Sequence, residues 1–203
     1  MIIIDEAKLI ATGTSRLIYI HPYNTKKLIK VFKPSQTPEK RRKAIWYKRL
    51  QSLDKFNENK RDLIEHQKAR NKCQEIELHV CNVYGMETTN HGEGLVEDHI
   101  CDSDGKTSVT LWTYVQNNGI EIVKEYIDEM FEIFADNHIV FRDGNEKNIL
   151  VQRRDAGFGL IVVDGLGESN LIPYASVSKN LNKIKLHRKK DRMIKRLSII
   201  NNI

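Results

Sequence analysis

Apolar positions come first as short runs and later at helical spacing. Lys8 to Ala11 and Leu17 to Ile20 flank Thr12-Gly13-Thr14-Ser15-Arg16, which predicts two strands joined by a small-residue turn. His21-Pro22-Tyr23-Asn24-Thr25 reads as a turn, because Pro fixes φ and Asn tolerates left-handed geometry. Leu28 to Phe32 predicts a third strand in which Lys30 alternates with apolar neighbours. A lysine there is costly to desolvate unless something negative meets it, or it snorkels from the solvated face of an edge strand. Thr37-Pro38 has the form of an N-cap and first helical residue, and Ala44, Tyr47 and Leu50, with Ile45 beside Arg49, extend that helix to about Leu53. Asp54 to Gln74 is highly charged, with Phe56, Leu63 and Ile64 as exceptions, and predicts a solvated helix or mobile insertion. Glu77 to Thr88 and Leu95 to Cys101 predict a second hairpin around Thr89 to Gly94. Val123, Ile127, Met130, Phe131 and Phe134 share one face of a helix from about Glu121 to Asn137. The tail from Lys179 carries Leu181, Ile184, Met193, Leu197 and Ile200 among basic residues, the pattern of a helix that packs an apolar stripe.

The chain of 203 residues with 40% apolar content can bury a sizeable core as one domain or two small lobes. Cys73, Cys81 and Cys101 show neither C-x-x-C nor zinc spacing, so reduced thiols in a cytoplasmic protein are expected. The N-terminus M-I-I-I-D-E lacks a basic leader pattern, and no run of apolar residues is long enough for a transmembrane segment. The net charge of +6 is uneven, since residues 179–203 hold nine Lys or Arg against Asp191 alone. Such a tail is either a solvated helix face or a surface for an anionic partner such as acidic lipid, phosphosugar or nucleic acid.

The stretch I-V-F-R-D-G-N-E-K-N-I-L-V, Ile139 to Val151, reads as a strand, a polar loop and a strand. A further apolar strand, Leu160 to Val163, ends on Asp164-Gly165-Leu166-Gly167. Two acids and an amide at strand ends suit phosphoryl transfer from a metal-bound nucleotide. On that chemistry Asp143 is the base and Asn148 and Asp164 are Mg²⁺ ligands, hard oxygen donors that need only phosphate oxygens and water to complete the shell. Asp143 and Asn148 as plain turn formers are the alternative. Asp102-Ser103-Asp104-Gly105 reads as a turn, because a calcium loop needs Glu at its twelfth position and Thr113 stands there.

The D-x-x-x-x-N spacing followed by a strand ending in D-x-G resembles the catalytic and metal loops of the protein-kinase-like superfamily. The resemblance extends to the YrbL family (PhoP regulatory network protein YrbL), through Tyr19-Ile20-His21-Pro22, Ile29-Lys30-Val31, Trp46-Tyr47-Lys48-Arg49-Leu50, Asp102-Ser103-Asp104-Gly105-Lys106 and Gly167-Glu168-Ser169-Asn170-Leu171-Ile172-Pro173. It implies a small two-lobed α+β fold over residues 1–203. An antiparallel N-lobe sheet would occupy about 1–100, with the charged segment 54–74 inserted, and a minimal helical C-lobe with a basic C-terminal helix would occupy 101–203. It also implies ATP and Mg²⁺ as cofactors, a hydroxyl acceptor on a small molecule, saccharide or protein, and a nucleotide held between the lobes. Gly13, Thr14 and Ser15 would cover the phosphates, Lys30 would contact the α- and β-phosphates, and the backbone of Glu97, Asp98, His99 and Ile100 would face adenine.

The sequence departs from that pattern in two places. Lys43 stands where the family has a Glu to pair with the phosphate lysine, which makes Glu39, one turn earlier, the nearest substitute. Glu39 would otherwise only complement the helix dipole. Phe141 stands where many kinases have His. Three classes therefore remain: an active phosphotransferase, a nucleotide-binding regulatory module of the pseudokinase kind, and an adaptor that uses the basic tail. Ser169 to Tyr174 leaves no room for a long peptide platform, which favours small-molecule or lipid-saccharide acceptors.

Overall fold

The computed structural model describes residues 1–44, 50, 52–167 and 178–200. They fall into two compact units, one of Met1–Gln67 with Asn82–His99 and the other of Lys68–Cys81 with Ile100–Ile203. The segment 68–81 thus goes with the second unit.

The first unit is built on a five-stranded antiparallel sheet in the order β1-β2-β3-β5-β4. Its strands are β1 (Leu9–Thr12), β2 (Arg16–Ile20), β3 (Lys27–Phe32), β4 (Val83–Thr89) and β5 (Gly92–Asp98). β5 begins earlier than its apolar residues suggest, because Gly94 is a strand residue. A Cβ there would lie 2.5 Å from Ile29 Cγ2 and 3.0 Å from Val31 Cγ1, so the close approach of β3 requires glycine. One sheet face carries Tyr19, Ile29, Val31 and Val96, covered by Ile2 and Ile4 of the N-terminal segment. That segment is tied to the edge strand by the Ile2 N–H, which donates to the Thr88 carbonyl at 2.8 Å.

Helix α1 (Pro38–Lys43) starts as its sequence predicts, with the Thr37 hydroxyl accepting from the Lys40 N–H at 3.4 Å. The continuation through Ile45, Tyr47 and Arg49 lies outside the described residues, and Leu53–Phe56 form a separate 3-10 turn. The charged segment forms helix α2 (Glu58–Arg70), the helical alternative of the expectation, but this helix is not solvated on all sides. Asn59, Asp62 and His66, three and four residues apart and hence on one helix face, are all buried.

The second unit holds α3 (Gln74–Glu77), β6 (Val109–Thr110), α4 (Leu111–Asn118), α5 (Lys124–Asp136), β7 (Ile149–Arg154), β8 (Gly157–Val162) and α6 (Lys179–Ile200). β6, β7 and β8 form an antiparallel three-stranded sheet in that order. A strand was expected from Glu77, but the chain is helical at Gln74–Glu77 and β4 starts only at Val83. All five apolar residues assigned to the face of α5 are buried, and they share a core with α4, β7, β8 and α6. The stripe on α6 is partly in another register. Met193 and Leu197 are buried as expected, whereas Leu181 and Ile184 are 46% and 48% exposed, and Asn182 and Leu186 are buried instead. Asn182 fixes this arrangement by donating its amide to the Ile139 carbonyl at 2.9 Å.

Asp102 to Gly105 is a turn closed by the Gly105 N–H on the Asp102 carbonyl, 2.9 Å. Burial alone would raise the Asp102 carboxyl, but hydrogen bonds from Ser108 and Arg153 hold it below the usual carboxylate range. Cys73, Cys81 and Cys101 are free thiols. Among the described residues no helix is long and apolar enough to cross a membrane.

Candidate functional site

In the first unit the chemistry centres on a buried cluster of charges. Lys30 lies opposite Leu95 in the β3–β5 ladder, and Glu97 is two residues along β5, so the two side chains are diagonal neighbours on one sheet face. Lys30 Nζ lies 2.7 Å from Glu97 Oε2, and the side chains are only 4% and 3% exposed. This corrects the pairing with Glu39, which is an exposed residue in the first turn of α1 and suits the helix-dipole role. Burial lifts the Glu97 carboxyl above the ordinary range, and the Lys30 charge opposes that shift.

Beside this pair, Arg16 on β2 donates to Asp62 at 2.6 Å and to Asn59 at 3.1 Å, and Asn59 donates to the Lys30 carbonyl at 3.0 Å. The polar face of α2 therefore compensates charges that the sheet buries. Sequence reasoning missed Arg16, Asn59 and Asp62. The available signal was the spacing of short polar residues on a helix with few apolar ones.

The remaining residues assigned to nucleotide, Ile100 excepted, lie in the same unit, and several of their polar groups are already engaged. The Gly13 N–H closes the hairpin turn on the Arg16 carbonyl at 2.9 Å, and the Ser15 hydroxyl donates to Glu58. A Cβ on Gly13 would meet only the Arg16 carbonyl at 3.5 Å, an ordinary contact, so that position does not demand glycine. Thr14 is exposed. Of the four backbone positions assigned to adenine, Glu97 is paired on both sides within the sheet. The Asp98 N–H donates to the Asn82 carbonyl and the His99 N–H to the Lys26 carbonyl. Ile100 belongs to the second unit, where its carbonyl accepts from the Ser108 N–H.

In the second unit the loop between Phe141 and Ile149 and the turn after β8 are brought into contact by backbone pairing. Phe141 and Leu166 form an antiparallel bridge, and the Asp143 N–H donates to the Gly165 carbonyl at 3.0 Å. The Val163 N–H donates to the Asn148 carbonyl, also at 3.0 Å. Within residues 139–141 only Phe141 makes an isolated bridge, and the regular strand expected of them is not formed. Gly165 has φ +88°, and a Cβ there would fall 2.7 Å from the Asp143 carbonyl oxygen, 3.0 Å from its Cβ and 3.1 Å from Asn148 Nδ2. Only glycine lets these three segments meet.

The donor atoms are oriented by the same contacts. Asn148 Nδ2 donates to the Asp143 carbonyl at 3.2 Å, which sets Oδ1 as the ligand atom of that amide. Asp164 Oδ1 accepts from the Gly165 N–H at 2.6 Å. Asp143 is exposed, while Asn148 and Asp164 are half-buried. Among the described residues no group of three His, Cys, Asp or Glu converges on a metal position. Asn148 and Asp164 offer hard oxygen donors, a set that fits Mg²⁺, which accepts few protein oxygens.

A third feature went unread in the sequence. A cavity of about 480 Å³ opens beside Asp143, between the 142–147 loop, Trp112 of α4, and Lys189, Arg192 and Arg196 of α6. The basic tail is thus partly internal to the unit: Lys190 pairs with Asp128 at 2.9 Å, and Arg196 grips Glu146 at 2.7 and 3.2 Å.

A family model described as PhoP regulatory network protein YrbL matches residues 2–198. The uncharacterized proteins YrbL of Escherichia coli (strain K12) and Shigella flexneri are each 28% identical over 184 residues, covering 88% of this chain and 80% of theirs. Among solved structures, the Rio2 kinase-ADP/Mg²⁺-phosphoaspartate complex from Chaetomium thermophilum superposes with a TM-score of 0.53 at 14% identity. That match covers 91% of this chain and 54% of the other, so this chain spans about half its length. The Mycobacterium tuberculosis PknI kinase domain gives 0.52 at 12% identity, over 92% of this chain and 71% of that one. The fold is protein-kinase-like.

Proposed function

The chain belongs to the YrbL family, PhoP regulatory network protein YrbL, and from that premise we propose that it is an ATP- and Mg²⁺-dependent phosphotransferase acting on a hydroxyl acceptor. The observation that supports this reading is the close packing of Gly165, next to Asp164 in the chain, against Asp143 and Asn148, which would bring a base and two oxygen ligands together. An ordinary turn needs no such convergence. The Rio2 neighbour, which holds ADP and Mg²⁺, supports nucleotide and metal as the ligands of this fold.

The roles follow from the chemistry of each group. Asn148 Oδ1 and the Asp164 carboxylate would hold Mg²⁺, which supplies charge neutralisation at the phosphates. Lys30, kept in place by Glu97, would contact nucleotide phosphates. Asp143 would accept the proton of the acceptor hydroxyl, or orient that hydroxyl for in-line attack.

A second reading, a nucleotide-binding regulatory module with little turnover, is favoured by the Gly13 N–H and the Ser15 hydroxyl. Both are engaged inside the hairpin and α2. The two readings separate on Asp143→Asn. For an active phosphotransferase this change keeps ATP affinity within a few fold and lowers turnover by about 10²-fold or more. Metal-dependent ATP binding with the same negligible ADP release from both proteins would replace the enzyme reading by the regulatory one.

A further inference from the structure

The cavity beside Asp143 has a charge balance that the phosphotransferase reading leaves unused. Five cationic side chains line it against two carboxylates, Asp143 and Glu146. Glu146 is neutralised by the two-pronged contact from Arg196. Lys189 donates to the Arg142 carbonyl, and Lys147 Nζ stands 5.4 Å over the Trp112 ring. Arg142 and Arg192 have no carboxylate partner among the described residues, and Arg142 Nη1 is buried without an acceptor. A buried guanidinium donor with no acceptor is destabilising, and a bound anion is one way to supply the missing oxygen.

The placement of these cations follows from the helix that carries them. Lys189, Arg192 and Arg196 are spaced three and four residues apart, so they share one face of α6. Met193 and Leu197, buried in the core, hold that helix in register. Burial pushes the Lys189 ammonium below its usual range; Asp143 opposes the shift, and Lys185, Arg142 and Arg192 add to it. An anion in the cavity would relieve all of these repulsions together. Asn148 and Asp164 do not line the cavity, so it is separate from the oxygen donors assigned to the metal. A volume of about 480 Å³ lies within the range of sites for small molecules, roughly 300–1,000 Å³.

We propose that this cavity is the acceptor site, and that the acceptor is a small hydroxyl compound already carrying a phosphomonoester. The proposal rests on the phosphotransferase reading. The ester phosphate sits on the forks of Arg142 and Arg192, whose planar donors match phosphate oxygens and whose two charges match a dianion. The hydroxyl faces Asp143. In the transfer, the hydroxyl oxygen bonds to the γ-phosphorus as the bond from that phosphorus to the β,γ-bridging oxygen breaks. ADP leaves with the electron pair, and the hydroxyl proton passes to the Asp143 carboxylate and then to water. The product carries two phosphates.

The test begins without nucleotide, by following the Arg side-chain N–H resonances of the full chain during titration with inorganic phosphate, glycerol 3-phosphate and glucose 6-phosphate. Glycerol and glucose serve as uncharged counterparts. Shifts at Arg142 and Arg192 with the three phosphate probes, and none with the uncharged pair, are expected. Arg192→Glu should weaken the phosphate ester at least tenfold and Arg192→Lys by less, while Arg188→Glu, on α6 but outside the cavity, should change it less than twofold. Phosphate probes that leave Arg142 and Arg192 unmoved would overturn the proposal. Mg·ATP is then added to separate the two levels. Ester binding that depends on Arg192 without any transfer keeps the anion site and sinks the phosphotransferase reading. Transfer to uncharged acceptors that neither ester competition nor Arg192→Glu affects keeps that reading and overturns the acceptor assignment.

Discussion

Replacing Glu97 by Gln would leave Lys30 buried in the sheet beside an amide in place of a carboxylate. The two groups are 2.7 Å apart and almost fully enclosed, so neither can turn to solvent without opening the β3–β5 ladder. Removing one partner of such a pair costs about 3–5 kcal/mol, a large part of the roughly 5–15 kcal/mol that stabilises a domain. The two single substitutions should differ. Glu97→Gln leaves the buried Lys30 without its carboxylate, whereas in Lys30→Met the remaining carboxyl, already raised by burial, is relieved by taking up a proton. Its sign is set by that direction. A carboxyl raised in the folded state holds a proton that the unfolded chain has released, so stability falls as pH rises from the ordinary carboxylate value through the raised one. Lys30→Met removes the opposing charge and should steepen this fall, making the variant distinctly more stable near pH 5 than near pH 7. The double substitution should recover much of the loss, with a coupling energy of about 2 kcal/mol. Hydrogen exchange of the Ile29, Val31 and Val96 amides, corrected for intrinsic rates, reads the first unit by itself. Additive single effects, or a Glu97→Gln loss below about 0.5 kcal/mol, would refute the pairing and return Lys30 to another carboxylate.

Two further outcomes can be checked by urea unfolding. Gly165→Ala should cost at least about 1–2 kcal/mol, because its φ of +88° suits only glycine and the new methyl would press on the Asp143 carbonyl; Gly13→Ala should stay within about 0.5 kcal/mol. For Glu58, burial raises the carboxyl, but hydrogen bonds from Ser15 and Arg41 and the Arg16 charge hold it below its usual range. Its contribution is therefore present above the ordinary carboxylate value and lost as pH falls through the lowered one. Glu58→Gln should show a shallower acid decline than the unaltered protein, and parallel acid profiles would count against these bonds.

The parts of the molecule legible in the sequence are those in which apolar spacing and burial coincide. The face of α5 and the strand around Lys30 are of this kind. Helix α2 was illegible because its buried face is polar, with Asn59, Asp62 and His66 where periodicity looks for Leu or Ile. Glu97 was assigned to adenine contact because strand register decides which acid meets Lys30, and register depends on pairing between residues more than sixty positions apart. The first part of α6 was misread because Leu181 and Ile184 look like a stripe, whereas the carbonyl of Ile139 draws Asn182 inward. Arg192 lies in the tail that reads either as a solvated face or as a surface for an anionic partner, since a basic helix face looks the same in sequence whether it borders water or a cavity.

A nucleotide bound through a metal held by Asn148 and Asp164 would stabilise the folded chain. The most direct measurement is the thermal shift of the full chain by ATP with and without Mg²⁺, repeated on Asp164→Ala. A ligand at a hundredfold excess over Kd stabilises by about 2.7 kcal/mol, an increment easily resolved in the melting temperature. The account predicts a shift that needs Mg²⁺ in the unaltered protein and loses its Mg²⁺ dependence in Asp164→Ala. The same Mg²⁺-dependent shift in both proteins would contradict it.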